Sequence, residues 1–153
     1  MEVSEVMTTN VKLVSPDQSV AQAARMMQDL DVGLLPVAEN DRLVGMISDR
    51  DIAIRAVGAN KSPDTPVREV MSKEVLYCYE TDEVEAAAQN MADIKVRRLP
   101  VLSQQKRLVG IVSLGDLAVI DGPDNAGEAL CGISEPGGAH SQSRDGGRSP
   151  TLF

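Results

Sequence analysis

Two short runs place a hydroxyl and a carboxylate three residues apart: Ser48-Asp49-Arg50-Asp51 and Ser113-Leu114-Gly115-Asp116. Each follows an apolar stretch, Leu43 to Ile47 in one case and Leu108 to Val112 in the other, that reads as a buried strand delivering both groups to the mouth of a helix. There, serine at the N-cap and aspartate at the third helical position satisfy free amides and complement the helix dipole. The same kind of start attracts phosphate, and a carboxylate beside it can accept two hydrogen bonds from a ribose diol. Capping alone and ligand binding are both open for these residues, and one group can do both.

Cations are distributed unevenly around the two runs. Val32-Gly33-Leu34-Leu35-Pro36-Val37 is neutral, whereas the matching Val96-Arg97-Arg98-Leu99-Pro100-Val101 sets two guanidinium groups at the start of a strand. Guanidinium forks suit phosphate oxygens, although an exposed pair on an acidic chain is more often a solvated surface. Successive strand residues face opposite ways, so at most one of Arg97 and Arg98 is expected to reach a given pocket. Arg50 is a further candidate cation, and its counterpart is Gly115, so two sites built on these runs should differ in charge.

Catalysis has little support. The chain has no P-loop glycine pattern ending in Lys-Ser/Thr, no Gly-x-Ser-x-Gly, no His-Glu-x-x-His and no catalytic Cys/His pair. Asp49 and Asp51 point different ways at a helix start, which does not suit general acid-base work. Cys78 and Cys131 sit in unrelated contexts, so neither a disulfide framework nor a zinc site follows, and the sole histidine, His140, lies in a Gly/Ser-rich stretch. No catalytic residue and no metal ligand is assigned.

The elements that must position these groups come in duplicate. Val3-Ser4-Glu5-Val6-Met7 returns as Val67-Arg68-Glu69-Val70-Met71, Leu35-Pro36-Val37 as Leu99-Pro100-Val101, and Arg42-Leu43-Val44-Gly45 as Arg107-Leu108-Val109-Gly110. In the first copy Val20, Ala23, Ala24 and Met27 form one apolar helical stripe, with Ser19 and Gln22 as a capping box. Val84, Ala87, Ala88 and Met91 repeat the stripe, with Asp82 and Glu85 able to cap. Met7, Met27, Met71 and Met91, together with Tyr77 and Tyr79, read as packing residues.

A hairpin follows each helix, Leu34 to Ala38 with Leu43 to Ser48, then Leu99 to Leu102 with Leu108 to Ser113. Further helices begin near Asp49, with Ile52, Ala53, Ala56 and Val57 on one side, and near Leu114. Brief strands are expected around Lys12 to Ser15 and Leu76 to Tyr79. The order per copy is strand, helix, strand, strand, helix, an α+β arrangement: repeat 1 over 1–57, a Pro-containing linker over 58–66, repeat 2 over 67–120, and a Gly/Ser-rich tail over 121–153 expected to be disordered.

At 153 residues the two copies are each too small to be secure alone, so they are expected to pack together. With 42% hydrophobic residues but one Phe, two Tyr and no Trp, the core must come from Val, Leu, Ile, Ala and Met. A net charge of -8 disfavours non-specific binding to nucleic acid or anionic membranes. The N-terminus lacks the features of a signal peptide and no apolar run approaches a membrane span, so a cytoplasmic protein is expected.

Taken together, the paired Val-x-Glu-Val-Met starts, the Leu-Pro-Val strands and the Leu-Val-Gly-x-x-Ser-x-x-Asp runs resemble the cystathionine beta-synthase (CBS) domain family, over roughly Val3 to Ile120. The resemblance implies a tandem pair, or Bateman module, whose repeats pack through their sheets with pseudo-two-fold symmetry and leave two clefts. In many members such clefts bind adenosine compounds such as AMP, ADP, ATP or S-adenosylmethionine; NAD is a further candidate here, and no cofactor is required. By resemblance, Asp51 and Asp116 would hold ribose hydroxyls, Ser48 and Ser113 would approach the ribose or phosphate, and Arg97 and Arg98 match positions of basic phosphate ligands. The base would sit near Val11, Ile47, Val75 and Val112. The family often has Thr where Ser48 and Ser113 stand, which keeps the hydroxyl and loses a methyl contact. The function implied is a regulatory module that senses a nucleotide, pairs as a homodimer and signals to a separate, unidentified effector protein. The alternative is a structural or interaction dimer with no physiological nucleotide.

Overall fold

The computed structural model describes residues 1–136. The rest of the Gly/Ser-rich tail, with His140, lies outside the described residues. The described residues form two compact units, and these are not the two sequence repeats: one comprises 12–76 with 106–108, the other 1–11, 77–105 and 109–136.

In the first unit, Val20–Leu30 forms helix α1. Ser19 Oγ accepts from the Gln22 amide at 3.1 Å and Gln22 Oε1 accepts from the Ser19 amide at 2.9 Å, the expected capping box. The carbonyls of Pro63 and Thr65 accept from the amides of Ala21 and Val20, so the linker closes this helix start rather than spanning free. Left-handed Asp31 (φ 55°) ends α1. The antiparallel strands β1 (Leu34–Glu39) and β2 (Arg42–Ser48) pair Leu35 with Ile47, around a turn in which Asn40 and Asp41 both take positive φ. The strand expected over Lys12 to Ser15 is only a single parallel bridge, Val14 to Val37.

The helix expected near Asp49 begins as the single turn α2 (Asp49–Asp51) and widens into a π turn over Ile52–Val57, where the Gly58 amide reaches back to Ala53 O at 2.8 Å. The wider turn breaks the expected stripe. Ala56 is buried and Ile52 half-buried, while Ala53 is exposed and Val57 is 70% exposed.

In the second unit, β3 (Cys78–Tyr79) runs parallel to β4, Arg98–Leu102, and helix α3 spans Val84–Ile94 between them. The expected caps do not form here: Asp82 Oδ2 instead accepts from the Tyr79 amide at 2.9 Å, closing the preceding turn, and α3 starts at Glu83 without a side-chain cap. Strand β5 (Leu108–Ser113) lies beside β4 and leads into α4 (Leu114–Asp116), which again widens into a π turn, Leu117–Asp121.

The segment expected to be disordered from 121 onward contains a helix, α5 (Pro123–Ser134). Pro123 suits the first helical position, and Ala126 and Ala129 pack into the core beside Ala88 and Met91 of α3. The small residues allow close approach: a Cβ at Gly132 would lie 2.5 Å from Ala92 Cβ. Lys95 Nζ donates to the carbonyls of Gly132 and Glu135, both at 2.8 Å, and so caps the α5 C-terminus.

The starts of the repeats are exchanged between cores. Val3 and Val6 are buried with Val101 and Leu117 in the second unit, whereas Val67 and Val70 are buried with Leu35 and Ile47 in the first. Backbone bonds fix each segment: Thr8 and Ile111 exchange both, as do Ser72 and Met46. The strand glycines permit this, because a Cβ at Gly45 would lie 2.8 Å from Ser72 O and one at Gly110 2.8 Å from Thr8 O. Among the described residues no helix is long and apolar enough to cross a membrane.

Candidate functional site

Both Ser-x-x-Asp runs form reciprocal caps with the same geometry. Ser48 Oγ accepts from the Asp51 amide at 3.0 Å and Asp51 Oδ2 accepts from the Ser48 amide at 2.9 Å. Ser113 and Asp116 repeat these bonds at 3.0 and 2.9 Å. The cap thus holds each carboxylate rigidly through one oxygen, at a half-buried position at the end of a sheet strand.

The other oxygen distinguishes the two copies. Asp51 Oδ1 faces Arg55 Nε at 3.9 Å, while Asp116 Oδ1 has no hydrogen-bond or ion-pair partner among the described residues. Sequence reasoning misses Arg55, although its spacing of four from Asp51 on a helical segment is the signal for such a pair. Its Nη1 also donates to the carbonyls of Val70 and Met71 at 3.3 and 3.4 Å, so it ties the cap region of the first unit to the inserted Val67–Met71 segment.

The structure sorts the sequence-derived residues into two sets. Ile47, Ser48, Arg50, Asp51 and Val75 belong to the first unit, and Val11, Arg97, Arg98, Val112, Ser113 and Asp116 to the second. Val11 joins the second set because the Thr8 to Ile111 bridge lays the chain start along the strand that ends in Ser113. Val75 follows Ser72 and Met46 in the same way. Val11 and Val75 are half-buried. Ile47 and Val112, expected near a base, have fully buried side chains directed into their own cores, so only their main chain is on offer there.

Arg97 adjoins the second cap: its carbonyl accepts from the amide of Leu114, the residue after Ser113, at 2.8 Å. Gly33 holds the equivalent place, bonded to the Asp49 amide at 2.9 Å, and there a Cβ would lie 2.9 Å from Asp49 Oδ2. The first unit therefore fills the space beside its cap with the Asp49 carboxylate, whereas Arg97, at the equivalent place in the second, is exposed. Arg98, first in β4, and Arg50 are both exposed. Gly115, opposite Arg50 in the repeat, has room for a side chain: only Ser113 Oγ lies within 4 Å of where its Cβ would stand, at 3.6 Å. Among the described residues no cluster of His, Cys, Asp or Glu has the makings of a metal site.

Comparison with known proteins agrees with this architecture. The CBS domain family matches residues 3–58 and 67–121. The CBS domain-containing protein YhcV of Bacillus subtilis is 46% identical over 133 residues, covering 86% of this chain and 94% of that protein. The crystal structure of a conserved CBS domain protein of unknown function from Thermoplasma acidophilum superposes with a TM-score of 0.75 at 29% identity, over 86% of this chain and 75% of that one. The CBS domain pair of protein MJ0100, solved in complex with 5'-methylthioadenosine and S-adenosyl-L-methionine, superposes with a TM-score of 0.71 at 26% identity, over 80% of this chain and all of that one. With both repeats matched and the paired Ser-x-x-Asp caps in place, this chain belongs to the CBS domain family as a tandem pair.

Proposed function

We propose that this chain is a regulatory module that binds an adenosine-containing small molecule at its Ser-x-x-Asp helix starts and passes the bound state to a separate protein. The observation that carries the reading is the division of labour within each carboxylate. One oxygen is engaged by the cap, and the outer oxygen of Asp116 is left without a partner among the described residues, on a rigid support. A vicinal diol needs such an acceptor. The MJ0100 pair, which holds two adenosyl compounds, supports the same ligand class.

In this reading Asp51 and Asp116 accept from ribose hydroxyls, and Ser48 and Ser113 lie next to the ribose or phosphate. Arg97, Arg98 and Arg50 supply positive charge for a phosphate or for the carboxylate of S-adenosylmethionine. Val11 and Val75 pack on the base with the main chain of Ile47 and Val112. The ligand regulates by binding two conformations unequally. The protein works in the cytoplasm as a homodimer.

A second reading, a structural or interaction protein with no nucleotide, draws on exposed apolar residues just beyond the caps, Val57 at 70% and Val119 at 86% exposure. Thermal unfolding with S-adenosylmethionine, 5'-methylthioadenosine, AMP, ADP, ATP and NAD separates the two. A ligand at a hundred times its dissociation constant should stabilise the protein by about 2.7 kcal/mol. A flat response to all six at millimolar concentration would sink the sensing reading.

A further inference from the structure

The two caps share their geometry, so the surroundings of the outer carboxylate oxygen are what sets Asp51 apart from Asp116. Asp51 Oδ1 has Arg55 Nε at 3.9 Å, whereas the residue in the place of Arg55 in the second copy is Ile120, which has no charge to offer Asp116. Arg55 is held from a second side as well, since its Nη1 donates to the carbonyls of Val70 and Met71 at 3.3 and 3.4 Å. That segment runs on through Ser72, which exchanges backbone bonds with Met46, to Val75. One guanidinium thus spans the acid assigned to the ribose and the stretch of chain that leads to a residue assigned to the base.

We propose that Arg55 is a positioning residue that acts through Asp51: it engages the outer oxygen in the free protein, and a ribose diol enters the first site by displacing it. On the sensing role proposed above, on which this rests, the first site binds against an internal competitor and the second does not. The exposure of the pair permits the exchange. The side chain of Arg55 is 52% exposed and that of Asp51 18%, so a displaced guanidinium passes into water and no charge is stranded in the core. A pair this open changes an equilibrium constant by up to about fivefold. Released from the acid, Arg55 keeps the carbonyls of Val70 and Met71 as partners, so filling the first site is felt by the exchanged segment 67–71.

The full chain carrying Asp116→Asn lets the first site be read alone. In that background Arg55→Gln and Arg55→Met remove the charge, and Arg55→Lys keeps one within reach of Asp51. Each protein is titrated calorimetrically with the compound of the thermal panel that the parent binds most tightly, and with the 2',3'-dideoxy counterpart of that compound. The ratio of the second Kd to the first isolates the diol, because effects of Arg55 on folding or on a phosphate cancel in it. The ratio should rise about two- to fivefold in Arg55→Gln and Arg55→Met and return to the background value in Arg55→Lys. A ratio that is unchanged or lower in both charge-removing variants overturns the proposal and leaves the sensing reading standing. So does a first site that stays silent in Asp116→Asn and in both of those variants while the parent binds. A parent that binds none of the six compounds sinks the sensing reading itself, and this role of Arg55 with it.

Discussion

Replacing Asp116 by asparagine separates capping from ligand binding. The amide oxygen of asparagine can still accept from the Ser113 amide, now 2.9 Å from Asp116 Oδ2, so the cap persists and only the charge at a helix start is lost. That loss is worth about 0.3–1 kcal/mol, or a fall in Tm of about 1–4 °C for a chain of this size. The ligand loses more. With its oxygen kept by the cap, asparagine turns outward an NH2 that cannot accept from the diol, so two bonds to a charged acceptor, about 1.5–3 kcal/mol each, are lost, about 3–6 kcal/mol in all. At about 1.4 kcal/mol per decade that is a rise in Kd of about 100-fold or more. Calorimetric titration of parent, Asp116→Asn and Asp51→Asn with the best ligand of the thermal panel reads this directly. Each variant should lose affinity at its own unit's site and leave the other unchanged. If both titrate as the parent does, the ribose assignment is wrong; if Tm drops by far more than the stated range, the acid is chiefly structural.

Gly45→Ala and Gly110→Ala should each destabilise the protein by about 1–3 kcal/mol in urea unfolding, because each new methyl meets a backbone carbonyl at 2.8 Å that holds an exchanged segment; a change below about 0.5 kcal/mol would show that those segments yield. Burial pushes the Cys78 thiol up to about 12, with Asp82 adding to the effect. The folded state therefore keeps that proton where the unfolded chain, at about 9, releases it. Its contribution is complete below pH 9 and declines as pH rises from about 9 to about 12, so Cys78→Ala should flatten the alkaline side of the stability profile. An unchanged slope would mean that the thiol is not sealed in the native core.

Much of the positioning machinery was legible in the sequence because it depends on short-range chemistry. Ser48 with Asp51, Ser113 with Asp116 and Ser19 with Gln22 are reciprocal caps set by spacing alone, and the Asn40-Asp41 turn announces its hairpin. What was not legible depends on choices that local pattern leaves degenerate. Val3 and Val6 suit either core as well as Val67 and Val70 do, since the two segments are near copies; only the complete fold decides that they are exchanged. The π turns displace Val57 and Ala53 from a stripe that a regular helix would have buried. Helix α5 is hidden in a Gly-containing run, because Ala126, Ala129 and Gly132 gain their packing from close approach to α3 rather than from hydrophobicity. Arg55 escapes sequence reasoning because its partners are carbonyls 15 and 16 residues away as well as Asp51.

If a fixed carboxylate in each unit takes the two hydroxyls of a ribose, the diol of the ligand must carry a measurable share of binding. Calorimetric titration of the parent chain with the adenosine ligand that binds, set beside its 2',3'-dideoxy counterpart, examines this with nothing else altered. Removal of the diol should raise Kd by about tenfold or more. Equal affinity for the two compounds would contradict that role for the carboxylates.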